Sequence, residues 1–215
     1  MEWATGGNYL SKRPGHEPLS DKEKQVLVAR FENAGLCEND IPILDQAINL
    51  SGTIFPIKFT MKGFHLTPKN MLRVKNCLFI GDAMFSNIAP SQMNFSGTEF
   101  QQNAYFTNIT IGGMFGENSH NFENAIFKKN AIFESSVLNS ANFASASFEG
   151  TVDFQSTSFI GIPPDFRNTK VTGDVRFSLD YSKWPNPKDL SDRKSQNYRP
   201  HWIANCLTSA PVGQI

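Results

Sequence analysis

NAIFKKNAIFES, residues 124–135, contains the tetrapeptide NAIF twice, six residues apart. Apolar residues recur every three or four positions on one face of a helix, and every two positions on one face of a strand. A six-residue step equals three strand periods, yet the large apolar residue recurs at five-residue steps on either side, at Phe122 and Leu138. This spacing indicates a repeat that is neither a continuous helix nor a flat strand.

The same spacing extends from about residue 74 to residue 177. The large apolar positions are Val74, Phe79, Phe85, Phe95, Phe100, Phe106, Ile111, Phe122, Phe127, Phe133, Leu138, Phe143, Phe148, Phe154, Phe159, Phe166, Val171 and Phe177. Most steps are of five residues, and steps of six begin at residues 79, 100, 127, 148 and 171. The six-residue steps begin 21, 27, 21 and 23 residues apart.

Three steps of five and one of six make 21 residues, which predicts one turn of a structure with four faces. The interval of 27 contains an excursion that we place at GGMFGE, residues 112–117, and the interval of 23 has two extra residues around 162–164. The extra residue of each six-residue step recurs at the same corner, as in a stacked bulge.

A small residue lies two positions before most of the large ones. These small residues are Ala83, Thr98, Ala104, Ala125, Ala131, Ser136, Ala141, Ala146 and Thr157. Alternation over three residues is typical of a strand, so one large and one small side chain per five residues should point inward. The predicted outward residues are mostly polar: Ser96, Gln101, Lys128, Glu134, Asn139, Glu149 and Gln155.

This pattern resembles that of the pentapeptide-repeat proteins, whose repeat reads roughly A-[ND]-[LF]-x-x. ANFAS, residues 141–145, fits that formula, and NAIFES, SVLNS, ASFEG and TSFIG are close variants. The resemblance covers roughly residues 48–177. It implies an all-β solenoid, a right-handed quadrilateral β-helix, and the 21-residue frame predicts five to six coils. Stacked phenylalanines should then form aromatic ladders inside it.

Four segments are expected along the chain: a flexible leader (1–19), a capping helix with its linker (20–47), the β-helix (48–177) and an irregular tail (178–215). Ser20 and Glu23 form a capping box, and Gly35 is placed to end the helix. The helix should cover one end of the solenoid. Residues 48–73 read as irregular first turns, and the break at Pro200 predicts an altered C-terminus compared with related bacterial proteins.

Composition predicts a cytoplasmic protein. Twenty basic residues balance twenty acidic ones, so no global charge favours nucleic acid. The chain has no apolar stretch long enough to span a membrane. Its cysteines, Cys37, Cys77 and Cys206, lack the spacing of a zinc site or of a disulfide framework.

Sequence motifs predict no enzyme, no cofactor and no metal site. The nucleotide-binding, nucleophile-elbow and HExxH motifs are absent. His120 falls at an inward small position, where a spacer role is favoured over that of a catalytic base. The left-handed acyltransferase solenoid, with aliphatic hexapeptides in turns of 18 residues, differs from this chain in both period and residue type.

The outward positions beside the six-residue step supply a candidate partner surface. Its residues are Leu78, Met84, Tyr105, Ile126 and Ile132, together with Met114 and Phe115 of the excursion. Exposed apolar patches of this kind often bind partners. The alternative is that the excursion or the tail covers the corner as a second small core.

The sequence therefore favours a non-enzymatic rigid scaffold for protein–protein interaction, with an unidentified partner protein or a second copy of the chain as its ligand. The resemblance implies an alternative, a DNA mimic that acts on a type II topoisomerase (gyrase) and gives drug or toxin resistance. Mimicry requires a strongly negative face. Residues 48–177 contain ten basic and nine acidic residues, a net charge of +1, which speaks against it.

Overall fold

The computed structural model describes residues 11–15, 43–44, 48–56, 58–62, 65–66, 71–110 and 120–177. These residues form a parallel β-solenoid, in which the chain passes through four strand ladders in turn. The predicted capping helix, residues 20–34, and the tail, residues 178–215, lie outside the described residues, so both stay predictions. The right-handed, quadrilateral form implied by the resemblance also stays a prediction.

Ladders 1 and 2 flank the six-residue step and are the longest. The parallel strands of ladder 1 are Thr53–Phe55, Leu78–Phe79, Glu99–Phe100, Ile126–Phe127, Ser147–Phe148 and Lys170–Val171. The strands of ladder 2 are Phe59–Lys62, Ala83–Ser86, Ala104–Thr107, Ala131–Ile132, Val152–Phe154 and Val175–Phe177. About five turns therefore separate the first of these strands from the last.

Ladders 3 and 4 complete each turn. Ladder 3 contains two separate pairs, Ile43–Leu44 with His65–Leu66 and Val137–Asn139 with Ser158–Ile160. Ladder 4 contains Ile48–Asn49, Met71–Arg73, Gln92–Asn94 and His120–Asn121, continued by single bridges at Asn142 and Asp165.

The strand register confirms the turn lengths read from the sequence. Phe79, Phe100, Phe127 and Phe148 are register partners along ladder 1, and Phe148 pairs with Val171. Asn139 pairs with Ile160 and Asn142 pairs with Asp165, so the extra residues of the fourth interval lie between 160 and 165, as predicted. The excursion predicted at 112–117 lies outside the described residues.

The core consists of stacked phenylalanine rings. In ladder 1, ring centroids along Phe79, Phe100, Phe127 and Phe148 lie 4.8–5.0 Å apart, with interplanar angles of 4–6°. Rings of neighbouring stacks meet edge to face. The Phe79 and Phe85 rings, for example, have centroids 5.9 Å apart and an interplanar angle of 85°. Both arrangements are favourable for aromatic pairs. The large and small inward positions predicted from the sequence are buried wherever their side chains are described.

Three of the four corners use residues with positive φ. They are Gly52, Asn76, Gly97, Asn124, Ser145 and Asn168 after ladder 4, Asn87, Asn108, Ser135 and Ser156 after ladder 2, and Ser140 and Gly161 after ladder 3. Asparagine and glycine tolerate the left-handed region best. The fourth corner, between ladders 1 and 2, has no such residue in the described coils and instead uses the six-residue step.

Side chains satisfy the backbone at this six-residue corner. The Oδ1 atoms of Asp82, Asn103 and Asn130 each accept a backbone N–H from the following coil, at 3.1–3.3 Å. The donors are the N–H groups of Asn103, Asn130 and Thr151. These bonds lock successive coils together beside the candidate surface.

The close approach of coils at this corner makes Gly150 a sensitive position. A Cβ atom there would lie 2.6 Å from the Lys129 carbonyl carbon and 2.8 Å from its oxygen. We expect Gly150→Ala to lower the free energy of unfolding by about 1–3 kcal/mol, because backbone atoms cannot move aside as a side chain can. Urea unfolding measures this, with Lys129→Ala as a control that removes a side chain from the same corner. A Gly150→Ala protein as stable as the wild type would contradict the tight stacking.

Three details differ from the sequence-based expectations. The first turn is more regular than predicted, since Phe59 pairs with Ala83 and Met61 with Phe85. Phe59 stands there at the position that is small in the later coils, and Met61 at the large one, which hides the repeat. Asn139, expected to point outward, is buried. Its side-chain Oδ1 accepts a hydrogen bond from the Ser140 hydroxyl at 3.2 Å, which holds it inside the ladder-3 corner.

The third difference concerns the predicted leader. Ser11–Lys12 form a strand that pairs antiparallel with Thr53–Phe55, at the outer edge of ladder 1. The backbone N–H of Arg13 donates to the Gly52 carbonyl at 2.7 Å. Part of the segment expected to be flexible is thus paired, because an open parallel strand offers it unpaired backbone groups.

Candidate interaction surface

The ladder-2 part of the predicted surface is continuous. Met84, Tyr105 and Ile132 are register partners on three successive strands, so their side chains form one outward row. All three are half-buried, whereas the alanines and phenylalanines that alternate with them are fully buried. The six-residue step and the strand alternation together place this row beside the corner.

The ladder-1 part is interrupted by a charge. Leu78 and Ile126 lie on either side of Glu99 in one outward row, and all three are half-buried. The five predicted residues described by the structure therefore flank the same corner, with Glu99 among them. We call Leu78, Met84, Tyr105, Ile126 and Ile132 the corner surface. The other two predicted residues, Met114 and Phe115, lie outside the described residues.

Ile80 is an exposed apolar residue that the sequence analysis did not identify. Its side chain is 40% exposed, at the outward position that follows Phe79. The equivalent positions in later coils are Gln101, Lys128 and Glu149, each of which donates its backbone N–H to the preceding coil in the same way. The sequence contains a signal for this residue, because Ile80 is apolar whereas the residues at the equivalent positions of the later coils are polar or charged.

Arg13 contacts the corner surface from the N-terminal segment. Its Nη2 lies 3.4 Å from Glu99 Oε2, with side chains that are 30% and 25% exposed, respectively. Glu99 also accepts a hydrogen bond from Gln101 Nε2 at 3.3 Å. Nothing in local sequence connects residues 13 and 99, so this contact could not be predicted from the repeat.

The later coils carry charge in the ladder-2 row and in the column of Ile80. Ile132 is followed in register by Asp153 and Arg176, whose side chains lie 3.7 Å apart. Lys128 Nζ lies 2.5 Å from Glu149 Oε1, and this hydrogen bond raises the pKa of the lysine. The apolar surface is therefore confined to the earlier coils, and a charged surface continues from it.

His120 lies inside the solenoid, at the inward position predicted for it. Its Nδ1 accepts a hydrogen bond from the Asn139 N–H at 3.0 Å, while Nε2 is buried without a hydrogen-bond partner. Burial lowers the pKa of the imidazole to about 4, so the ring is neutral near pH 7. A fully buried ring of this kind fits the spacer role expected from the sequence.

The described residues also bear on metal binding and on membrane spanning. Across the part of the chain that the structure describes, no three His, Cys, Asp or Glu side chains lie together in a way that could hold a metal ion. Within those same residues, no helix has the length and apolar character needed to cross a membrane.

Comparison with known proteins identifies the repeat. Residues 134–178 match the family model of pentapeptide repeats, in nine copies. No curated protein and no solved structure matched the chain. The matched segment contains the ANFAS pentapeptide and belongs to the same stacked ladders as the coils before it. The matched segment, residues 134–178, therefore consists of pentapeptide repeats.

Proposed function

We propose that this protein is a non-enzymatic rigid scaffold, which binds another protein or a second copy of itself through the corner surface. The observation that carries the proposal is the in-register row of Met84, Tyr105 and Ile132, which stays partly exposed on the outside of the solenoid. In a solenoid the inward residues determine the fold, so the outward residues are available for binding.

The chemistry of the row suits a protein partner. Tyrosine and methionine are enriched at protein interfaces, and tyrosine often contributes strongly to the binding energy. Strands in a sheet are about 4.8 Å apart, so Met84 and Ile132 lie about 10 Å apart. A row of this length supplies the apolar centre of an interface, and the charged rows of the later coils supply a polar rim.

The scaffold is rigid where the surface lies. The residues that alternate with Tyr105 along its strand, Ala104 and Phe106, are fully buried. Side chains of Asp82, Asn103 and Asn130 bond each coil to the next at the same corner. A surface that is already ordered loses little conformational entropy on binding, which favours affinity.

The proposal predicts the behaviour of a double substitution. Tyr105→Glu with Ile132→Glu should leave folding intact, because both side chains point outward, and should abolish partner capture or self-association, because two carboxylates would be desolvated at the contact. Circular dichroism and urea unfolding test folding. Affinity capture followed by mass spectrometry tests binding.

The matched control is Ala144→Glu with Gln155→Glu, which adds the same charge away from the corner surface. This control should fold and should retain the partners of the wild-type protein. If the Tyr105→Glu/Ile132→Glu protein unfolds, the two residues belong to a core and the proposal is wrong. Identical partner lists for the two double variants would contradict it equally.

A further inference from the structure

We propose that residues 11–13 form an autoinhibitory strap, which occupies the ladder-1 half of the corner surface until a partner displaces it. The inference deepens the proposed function and rests on it for the identity of the surface. The partner it implies is an extended protein segment that carries a basic side chain, since it must replace both the backbone pairing and the cation that the strap supplies.

The strap is held by few backbone contacts. Ser11 pairs with Ile54 and Lys12 pairs with Thr53, antiparallel to a ladder whose other strands are all parallel. One further bond joins the Arg13 N–H to the Gly52 carbonyl. The chain then turns at Pro14 and Gly15, which are exposed. Among the described strands the strap is the outermost of its sheet, so it can leave without disturbing the coils beneath it.

Arg13 brings the strap onto the corner surface. The strands of Ile54, Leu78 and Glu99 are successive in ladder 1, and these three residues are register partners. Glu99 therefore lies two strands, about 10 Å, from the strand that pairs with the strap. The Arg13 side chain must cross the Leu78–Phe79 strand to reach Glu99. A side chain on that path would cover part of Leu78, and its charged end stays partly in water.

The contact is suited to exchange. Both side chains of the ion pair remain partly exposed, and a pair of that kind shifts an equilibrium by only about two- to fivefold. Glu99 is half-buried between Leu78 and Ile126, so a cation remains favourable beside it when the strap leaves. A partner that supplies a lysine or arginine at this point would replace Arg13 without leaving the carboxylate unpaired.

The test uses purified protein and needs no partner. In a Leu78→Cys protein, the rate of modification by an uncharged maleimide at position 78 is followed by peptide mass spectrometry. Arg13→Glu should raise this rate about fivefold, because the ion pair becomes a repulsion. Adding Glu99→Arg should restore the slow rate. The same reaction at Ile132→Cys, on ladder 2, should not respond to Arg13→Glu.

A second measurement covers the case in which Leu78→Cys does not fold. Amide hydrogen exchange at residues 13 and 54 should be about fivefold faster in Arg13→Glu than in wild type, and slow again in Arg13→Glu/Glu99→Arg. Unchanged exchange and unchanged labelling would overturn the strap. These results are independent of partner capture, so the strap and the proposed function can each fail alone.

Discussion

Replacing Phe106 by alanine is expected to lower the free energy of unfolding by about 3–5 kcal/mol. The Phe106 ring is fully buried and is stacked between the rings of Phe85 and Phe133. The centroid-to-centroid distances are 5.3 Å to Phe85 and 4.9 Å to Phe133. The rings of Phe95 and Phe122 meet it edge to face, with centroid-to-centroid distances of 5.1 Å. Removal would leave a cavity that these rings cannot fill, because each is held by its own strand and stack.

Tyr105→Ala is the matched control, since it removes an aromatic ring from the adjacent position of the same strand, Ala104–Thr107. The Tyr105 side chain points outward, so its loss should cost less than about 1 kcal/mol. Urea unfolding of the two variants measures the difference. Equal losses would mean that Tyr105 is a core residue, and the corner surface would then be a second small core.

His120 is expected to make the protein less stable in acid. Burial lowers its pKa to about 4 in the folded state, whereas an unfolded histidine titrates near 6.5. The unfolded chain therefore binds the proton more readily, and stability is complete above pH 6.5 and falls as the pH decreases toward 4. The loss from this group should be about 2 kcal/mol at pH 5 and about 3 kcal/mol at pH 4.

His120→Leu isolates this contribution. The variant removes both the acceptor of the Asn139 N–H and the buried, unpartnered Nε2, and these two changes act in opposite directions on stability near pH 7. Its stability should, however, depend less on pH between 7 and 4, by the amount that the imidazole contributes. Urea unfolding at pH 7 and at pH 4 measures the free energy of unfolding of the wild type and of His120→Leu. Parallel pH profiles would show that His120 is hydrated or paired in solution.

The solenoid could be predicted from the sequence because its repeat is local. Every five or six residues one large side chain turns inward, and this spacing is visible without any long-range information. The prediction weakened in the first turn, where Phe59 stands at the position that is alanine in the next three coils. It was wrong at Asn139, whose side chain is held inside by Ser140.

The candidate surface could be predicted only in part. The register that places Tyr105 beside Met84 and Ile132 follows directly from the repeat. The contact of Arg13 with Glu99 does not, because it joins segments 86 residues apart through an antiparallel strand that the repeat does not contain. The structure thus adds a segment whose arginine contacts the ladder-1 row.

This arrangement separates folding from binding. The stacked phenylalanines stabilise every coil, and substitutions among them are expected to affect stability first. The outward rows are expected to affect partners first and stability little. The apolar residues of the corner surface lie in the earlier coils, which agrees with the binding role proposed for them.

Site-specific photo-crosslinking in the protein's own cells tests the corner surface most directly. A photoreactive phenylalanine analogue would replace Tyr105 in one protein and Ala144, in the turn after ladder 4, in another. We expect a defined adduct from position 105, the same partner from an analogue at Ile132, and neither from position 144. Folded proteins that give no adduct at 105, or the same adducts at 105 and 144, would contradict binding through the corner surface.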